Sequence, residues 1–351
     1  MREVAADIER WRRRGEDVAL ATVVATRRSA PRPVGAKLAV SEGGELAGSV
    51  SGGCVESDVY EHARRVLRGE APRLVSYGIS DDLAFSVGLP CGGEIDVFVE
   101  RARTELHERL LAIEDSAGRA VLFTVLSGLA VGEKLLVHES GERYGDALDG
   151  VADRASELIR SGRSRVLAEA EGLVFAEVLA PPPRLLVFGA VDTAEALCHS
   201  AGQLGWRTIV TDARAKFATA ERVPSADEIV VAWPDEALAH VQPDYATAVV
   251  VLTHDDRFDV PALAGALRSD AFYVGALGSR RNQARRRQRL LEAGVAEDQL
   301  ERIRGPAGLD IGGETPAETA ISILAEILAA RAGRSGGPLR DAPSRIHAGA
   351  S

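Results

Sequence analysis

The feature that most constrains the fold is a run of three prolines, Pro181-Pro182-Pro183. Consecutive prolines lack N–H donors and favour a stiff, extended backbone, so the run indicates a linker. A chain of 351 residues is long enough for two domains with separate cores. We therefore expect one domain at residues 1–180 and another at residues 184–332. The Gly, Ser, Pro and Arg content from Gly333 predicts a disordered tail over residues 333–351.

The two predicted domains differ in their hydrophobic patterns. Before the linker, hairpin signals such as Glu42-Gly43-Gly44 are mixed with helical segments, which indicates an α+β domain. After the linker, short apolar strands alternate with helices, which indicates a Rossmann-like, doubly wound parallel sheet. The predicted strands of that sheet are residues 184–189, 207–211, 228–232, 248–253 and 271–274. The fold class is therefore α/β, with an α+β domain first.

A glycine-rich stretch of the first domain ends in a cysteine: Gly48-Ser49-Val50-Ser51-Gly52-Gly53-Cys54. A helical pattern of apolar residues starts at Val55, so we expect Cys54 at or just before a helix N-terminus. The free N–H groups and the dipole of such a terminus favour a bound anion. Gly52 and Gly53 can adopt positive φ and let a ligand approach the backbone closely.

A second motif, Cys91-Gly92-Gly93, mirrors the first and leads into a strand-like run at residues 94–100. Two thiols framed by glycines in one domain suggest a shared site. The alternative, in which both cysteines fill small apolar gaps at turns, stays equally open at this point. No Cys-x-x-Cys or His-Glu-x-x-His spacing occurs, so the residues give little support to a structural zinc site.

In the second domain, Gly189 ends the first predicted strand and Asp212 follows the second, as in dinucleotide-binding folds. The middle glycine of that fingerprint is replaced by Val191, and Asp192 adds a negative charge where pyrophosphate would lie. Both changes oppose tight binding of a pyrophosphate. The sequence leaves two interpretations open, a nucleotide site and a Rossmann-like sheet retained for its shape.

Three further loops are expected at the carboxyl ends of the strands, where ligands of such sheets bind. They carry His254 and Asp255, then Ser279 with Arg280 and Arg281, and finally Asp310. Ser279 is a predicted N-cap, and the two arginines beside free N–H groups could hold a phosphate. We expect the arginines that follow, at 285, 286, 287 and 289, to form a solvent-exposed helix face.

Composition narrows the classes of function. A net charge of −10 argues against nonspecific nucleic-acid binding by the chain as a whole. Three cysteines are too few for a disulfide framework, so a reducing, cytoplasmic compartment is expected. The first residues lack the apolar core of a signal peptide, and no apolar run approaches 18 residues, so we expect no membrane span.

Together these motifs resemble the XdhC/CoxI family, the xanthine dehydrogenase accessory proteins. The resemblance rests on residues 30–36, 48–56, 88–93, 253–255, 273–281 and 308–316. It implies a chaperone that binds the molybdenum cofactor (molybdopterin) and protects it during sulfuration by a cysteine desulfurase. It also implies insertion of the cofactor into a molybdenum hydroxylase apoenzyme of the xanthine dehydrogenase or carbon monoxide dehydrogenase type. The chain departs from the family pattern at Val191, Asp192, Ala194 and Gly305.

The leading hypothesis is therefore a cytoplasmic maturation factor that binds and transfers its cargo rather than an enzyme. Cys54 and Cys91 would be thiol ligands of the metal, and Arg280 and Arg281 would contact phosphate. One rival is an NAD(P)-dependent oxidoreductase with Asp212 on the ribose. Another is a non-catalytic scaffold that docks the desulfurase and the apoenzyme. A homodimer is expected because such a chaperone presents its site to larger partners.

Overall fold

The structure, a computed structural model, describes residues 2–28, 30–78 and 93–342. The chain divides into two compact units, one within Met1–Pro181 and the other at Pro182–Asp341. Of the tail predicted from Gly333, residues 343–351 lie outside the described residues. Each unit is built around its own sheets.

The first half of unit 1 is a five-stranded antiparallel sheet with two helices. Its order is β3-β2-β1-β5-β4. Its elements are α1 (Arg2–Arg13), β1 (Val18–Arg27), β2 (Lys37–Ser41), β3 (Leu46–Gly48), α2 (Glu56–Leu67), β4 (Arg73–Tyr77) and β5 (Glu94–Arg101). Helix α2 ends before Gly69, whose φ of +102° suits the residue that follows a helix.

The second half of unit 1 repeats the order of the first, with two short helices in the place of α2. Its sheet has the order β8-β7-β6-β10-β9 and is also antiparallel. The elements are α3 (Thr104–Asp115), β6 (Ala120–Val125), β7 (Lys134–His138), β8 (Arg143–Gly145), α4 (Asp149–Ala152), α5 (Ala155–Ser161), β9 (Arg165–Glu169) and β10 (Gly172–Leu179). Helix, hairpin, helix and hairpin thus follow one another twice within unit 1.

The strand registers of the two halves also agree. Thr22 of β1 lies opposite Lys37 of β2, and Thr124 of β6 lies opposite Lys134 of β7. The cores packed under α1 and α3 match in the same way. One contains Val4, Ile8, Trp11, Val18, Leu20 and Ala39, and the other contains Leu106, Leu110, Ala120, Leu122, Leu136 and Leu179. Unit 1 is therefore an internal structural repeat.

Two departures from this repeat occur in the first half, and each carries a cysteine. Residues 49–55, which include Cys54, separate β3 from α2, whereas only residues 146–148 separate β8 from α4. Residues 78–93, which include Cys91, join β4 to β5, whereas Ala170 and Glu171 alone join β9 to β10. The repeat thus supplies a scaffold, and the extra residues of the first half supply both cysteine segments.

Unit 2 is a six-stranded parallel sheet with the order β13-β12-β11-β14-β15-β16. The strands are β11 (Arg184–Phe188), β12 (Arg207–Thr211), β13 (Glu228–Val230), β14 (Thr247–Val251), β15 (Tyr273–Ala276) and β16 (Ile303–Arg304). The helices are α6 (Asp192–Gln203), α7 (Pro234–Val241), α8 (Asp256–Arg268), α9 (Arg280–Glu292), α10 (Glu297–Leu300) and α11 (Pro316–Ala332), with a short 3-10 helix at Leu339–Asp341.

Two hydrophobic clusters cover the opposite faces of this sheet. One contains Leu197 of α6 and Ile323 of α11, and the other contains Ala237 of α7, Leu263 of α8 and Leu290 of α9. The predicted doubly wound, Rossmann-like sheet is therefore confirmed, as is the α+β character of unit 1. The strand order reverses between β11 and β14, which is where such sheets open a binding crevice. No helix in the described ranges is long and apolar enough to cross a membrane.

Candidate functional site: a glycine-framed cysteine

The loop before α2 is closed by a carboxylate of its own chain, that of Glu56. Glu56 accepts hydrogen bonds from Ser49 Oγ (2.7 Å), Ser51 N (2.9 Å) and Gly53 N (2.8 Å). Val50 N and Ser51 Oγ also donate to it. The sequence predicts that these N–H groups bind an external anion. In the structure they already donate to the Glu56 carboxylate, at the first residue of the helix.

The Glu56 carboxylate is stabilised in its charged form. Partial burial would raise the pKa of this carboxyl, but the hydrogen bonds from Ser49 and Ser51 outweigh burial and lower the pKa to about 2. A carboxylate that stays ionised keeps all of its acceptor positions at neutral pH. The loop is thus held in one conformation by an internal charge.

Ser51 fixes the backbone of Cys54. Its hydroxyl oxygen accepts the N–H of Cys54 (3.0 Å) and the N–H of Val55 (2.9 Å). The Cys54 side chain is exposed, two residues before the helix begins at Glu56. Gly53 beside it has φ +111°, and a Cβ built there would have no atom within 4 Å. The thiol therefore lies on a rigid backbone with open space next to it.

The chain segment that carries Cys91 follows β4, whose last residue contacts helix α2. Tyr77, at the end of β4, donates a hydrogen bond to Asp58 in the first turn of α2 at 2.7 Å. Burial, reinforced by Asp58, raises the pKa of the Tyr77 hydroxyl. Gly93, at the other end of the segment, is buried and precedes β5. Cys91 and Gly92 lie outside the described residues.

In unit 2, the acidic residue of the dinucleotide pattern already has partners. Asp212 accepts the N–H of Ala190 (3.1 Å) and two hydrogen bonds from the Arg214 guanidinium (2.9 and 2.8 Å). Burial raises the pKa of the Asp212 carboxyl, but these bonds outweigh it and lower the pKa. Gly189 has φ +105° and lies against Thr253. Asp212 thus supports the turn after β11 and is not a free acceptor.

A buried ion pair connects the loops after β14 and β15. The Arg286 guanidinium donates to Asp259 (2.7 Å) and to the carbonyl of Leu277 (3.1 Å), and Thr253 donates to the same Asp259 carboxylate. Arg286 is 5% exposed. The prediction of a solvent-exposed face was therefore wrong for Arg286, because the buried carboxylate of Asp259 has no other charged partner among the described residues.

The other predicted residues of unit 2 lie at the carboxyl ends of the strands. Asp255 caps α8 by accepting the N–H of Arg257 (3.0 Å), and Ser279 caps α9 by accepting the N–H of Asn282 (3.3 Å). Exposed side chains at this edge are those of His254, Arg280, Arg281 and Asp310. Neither Arg280 nor Arg281 forms an ion pair with any residue that the structure describes.

Sequence reasoning did not identify the roles of Glu56 and Ser51. A signal was available, because Ser-x-x-x-x-Glu before a helical run is a variant of the serine and glutamate pairing at helix starts.

In the part of the chain that the structure describes, no group of three His, Cys, Asp or Glu residues is arranged to hold a metal ion.

Fold and site together define a two-unit protein with an exposed cysteine on a self-closed glycine loop and a Rossmann-like second unit. A model of the XdhC and CoxI family matches residues 11–78, and one of the XdhC Rossmann domain matches residues 185–327. The chain is 30% identical, over 90% of its length and 94% of the relative, to a probable xanthine dehydrogenase subunit from Bacillus subtilis. The chain belongs to the XdhC and CoxI family.

Two further relatives agree with this assignment. The molybdenum cofactor insertion chaperone PaoD from Escherichia coli is 28% identical over 90% of this chain and 84% of the relative. A crystal structure described as a xanthine dehydrogenase from Bacillus halodurans is 28% identical, with a TM-score of 0.68 over 97% of this chain and 98% of that one. The similarity thus extends through both units.

Proposed function

We propose that this protein binds the molybdenum cofactor and delivers it to the apoenzyme of a molybdenum hydroxylase. It acts as a maturation factor and not as a catalyst. The support comes from two relatives, one named a molybdenum cofactor insertion chaperone and the other a probable xanthine dehydrogenase subunit. Both resemble this chain through both of its units.

The observation that carries the proposal is the exposed thiol of Cys54 on a rigid, glycine-framed backbone. A thiolate is a soft ligand that suits a metal already bound to sulfur, as in a metal–dithiolene cargo. Because Glu56 satisfies the loop N–H groups, the loop needs no bound anion to keep its shape. We assign Cys54 the contact with the metal or its sulfur ligand, and Cys91 the second thiol.

In unit 2, the exposed Arg280 and Arg281 at the start of α9 are assigned to phosphate. Guanidinium groups with no internal ion pair among the described residues, beside free helix N–H groups, suit this role. The partners proposed are the apoenzyme and a cysteine desulfurase, and the proposed setting is the cytoplasm. A homodimer is the proposed assembly.

A transfer assay tests this function. Protein purified from a molybdenum-replete host is incubated with the purified apoenzyme of a molybdenum hydroxylase, and the recovered activity is measured. Cys54→Ser should lower the recovered activity, whereas Cys198→Ser, in a buried thiol of unit 2, should not. Full transfer by Cys54→Ser and by Cys91→Ser would favour a scaffold that only docks the partners.

The rival function is that of an NAD(P)-dependent oxidoreductase. Two features support it, the positive φ of Gly189 and the position of Asp212 after β12. The bidentate contact of Arg214 with Asp212 weighs against it, because ribose binding would have to displace a charge-assisted pair. We expect millimolar NADPH to leave the Tm unchanged. A rise in Tm that Asp212→Ala abolishes would favour the oxidoreductase instead.

A further inference from the structure

The second half of unit 1 contains a groove at its surface. It has a volume of about 290 Å³ and lies between α3 and the β7–β8 hairpin. Ile113 and Leu136 form its apolar floor, Tyr144 forms a wall, and Arg109 and Glu142 line it with charge. This volume is close to the lower limit for small-molecule sites.

In the first half, the equivalent space is filled by a tryptophan. Trp11 of α1 is 0% exposed, and its indole N–H donates to Glu45 at 2.8 Å. Arg14 and Arg10 donate to the same carboxylate at 2.6 and 3.4 Å. Three large side chains thus close this side of the first half and neutralise Glu45.

Main-chain hydrogen bonds establish which residues correspond. At the ends of α1 and α3, the carbonyl of Trp11 accepts from Glu16 N (3.1 Å), and the carbonyl of Ile113 accepts from Gly118 N (2.8 Å). Counting along the two helices from this match, Ala112 takes the place of Arg10, and Ser116 takes the place of Arg14.

The hairpins correspond in the same way. Ser41 N donates to the carbonyl of Glu45 (3.0 Å), and His138 N donates to the carbonyl of Glu142 (2.9 Å). Glu142 therefore takes the place of Glu45. The three large residues over Glu45 are replaced over Glu142 by three smaller ones, and this replacement opens the groove.

The Glu142 side chain is 73% exposed, so its carboxylate is an acceptor that water reaches at the mouth of the groove. Among the described residues, its ion-pair partner is Arg109 at 3.9 Å, too far for a hydrogen bond. The Arg109 guanidinium lies 4.0 Å above the Tyr144 ring, so a flat, cation-faced wall borders the space. The groove thus offers an apolar floor, a flat wall and an acceptor where the first half has an indole.

We propose that this groove binds a small bicyclic heteroaromatic molecule that lies in the place of the Trp11 ring and donates an N–H to Glu142. The first half shows which chemistry the pocket fits, because its own indole makes the same contact with Glu45. The assignment is independent of the function proposed for Cys54, since no residue of the groove belongs to the glycine loop.

Ligand-observed NMR titrations of the full chain test this site, with indole as the probe and benzofuran as an isostere without the N–H. We expect indole to bind with a Kd on the order of 1 mM, and benzofuran about tenfold more weakly, because it cannot donate to a charged acceptor. Glu142→Gln should remove most of that difference. Ile113→Trp should abolish binding by supplying the ring from within.

A second variant, Ala112→Arg, covers the case in which Ile113→Trp fails to fold, as judged from its Tm and circular dichroism. It restores the counterpart of Arg10 beside Glu142 and should weaken indole binding at least fivefold. Absence of saturable indole binding to the wild type would overturn the proposal. Equal binding of indole to the wild type and to a folded groove-filling variant would do so as well.

Discussion

Lys37 of the first half of unit 1 lies with its Nζ 2.8 Å from Oε1 of Glu177, which belongs to the second half. The pair has a counterpart, because Lys134 of the second half lies 2.8 Å from Glu100 of the first. Each half therefore gives a lysine to a glutamate of the other. Charges removed from water are costly unless they are paired, so the two crossed pairs fix how the halves associate.

Breaking one of the crossed, buried pairs should destabilise the protein far more than breaking an exposed ion pair. Glu177→Gln leaves the Lys37 ammonium buried without its counter-charge and should lower the free energy of unfolding by about 3–5 kcal/mol. Asp17→Asn is the control, because the ion pair of Asp17 with Arg101 is exposed and should be worth less than about 1 kcal/mol. Urea unfolding measures both. A loss for Glu177→Gln no larger than the control would contradict the crossed-pair account.

His107 predicts a pH dependence of stability. It lines a small pocket of about 30 Å³ with Lys37 and Glu177, and neither ring nitrogen has a hydrogen-bond partner among the described residues. Burial, with Arg12 and Lys37, lowers the pKa of His107 from 6.5 to about 4. Between these values the unfolded chain binds more protons than the folded one, so stability falls as the pH falls from 6.5 to 4.

Replacing His107 should make the free energy of unfolding depend less on pH between pH 4 and 6.5. We expect the wild type to lose up to about 1.4 kcal/mol per pH unit more than His107→Phe within this window. Above pH 7 the difference between the two proteins should be constant. Parallel curves for the two proteins from pH 4 to 7 would show that His107 does not titrate as described.

Thiol labelling separates the two cysteines that the structure describes. Cys54 is exposed, whereas Cys198 of α6 is buried and burial raises the pKa of its thiol to about 12. Iodoacetamide at pH 7.5 should modify Cys54 at least 100-fold faster than Cys198, since reaction needs an accessible thiolate. Peptide mass spectrometry over time measures both rates. Comparable rates in the folded protein would contradict the placement of Cys54.

Removing the negative charge of Glu56 should loosen the loop that carries Cys54. Glu56→Gln replaces one acceptor oxygen by an amide donor, which should cost about 1–2 kcal/mol and speed hydrogen exchange at Ser51 and Gly53. Because the pKa of Glu56 is lowered from 4.5 to about 2, its contribution should be lost as the pH falls between these values. Glu61→Gln, exposed on the same helix, should change neither quantity.

Much of the fold follows from local sequence patterns. The pattern of apolar residues predicts α2 and five of the six strands of unit 2, and it misses the two-residue strand β16. The internal repeat was not found from the sequence. Its equivalent positions hold different residues, such as Trp11 and Ile113, because packing preserves the backbone and not the side chain.

The candidate site was predictable only in part. The sequence locates Cys54 before a helix, but not that Glu56 fills the loop, because the conformation of the loop decides which of several nearby acceptors the N–H donors meet. The pairing of Asp212 with Arg214 was missed for the same reason. The prediction that Arg286 is exposed was wrong because its partner, the buried Asp259, lies 27 positions earlier in the sequence.

The most direct test of the central claim is the molybdenum and pterin content of the protein purified from a molybdenum-replete host. The wild type and Cys198→Ser should contain molybdenum and pterin in equal amounts, and Cys54→Ser should lose both while keeping its Tm. The Cys54→Ser, Cys91→Ser double variant should be empty. Equal molybdenum and pterin in the wild type and in the folded double variant would contradict a cofactor site at the glycine-framed cysteine.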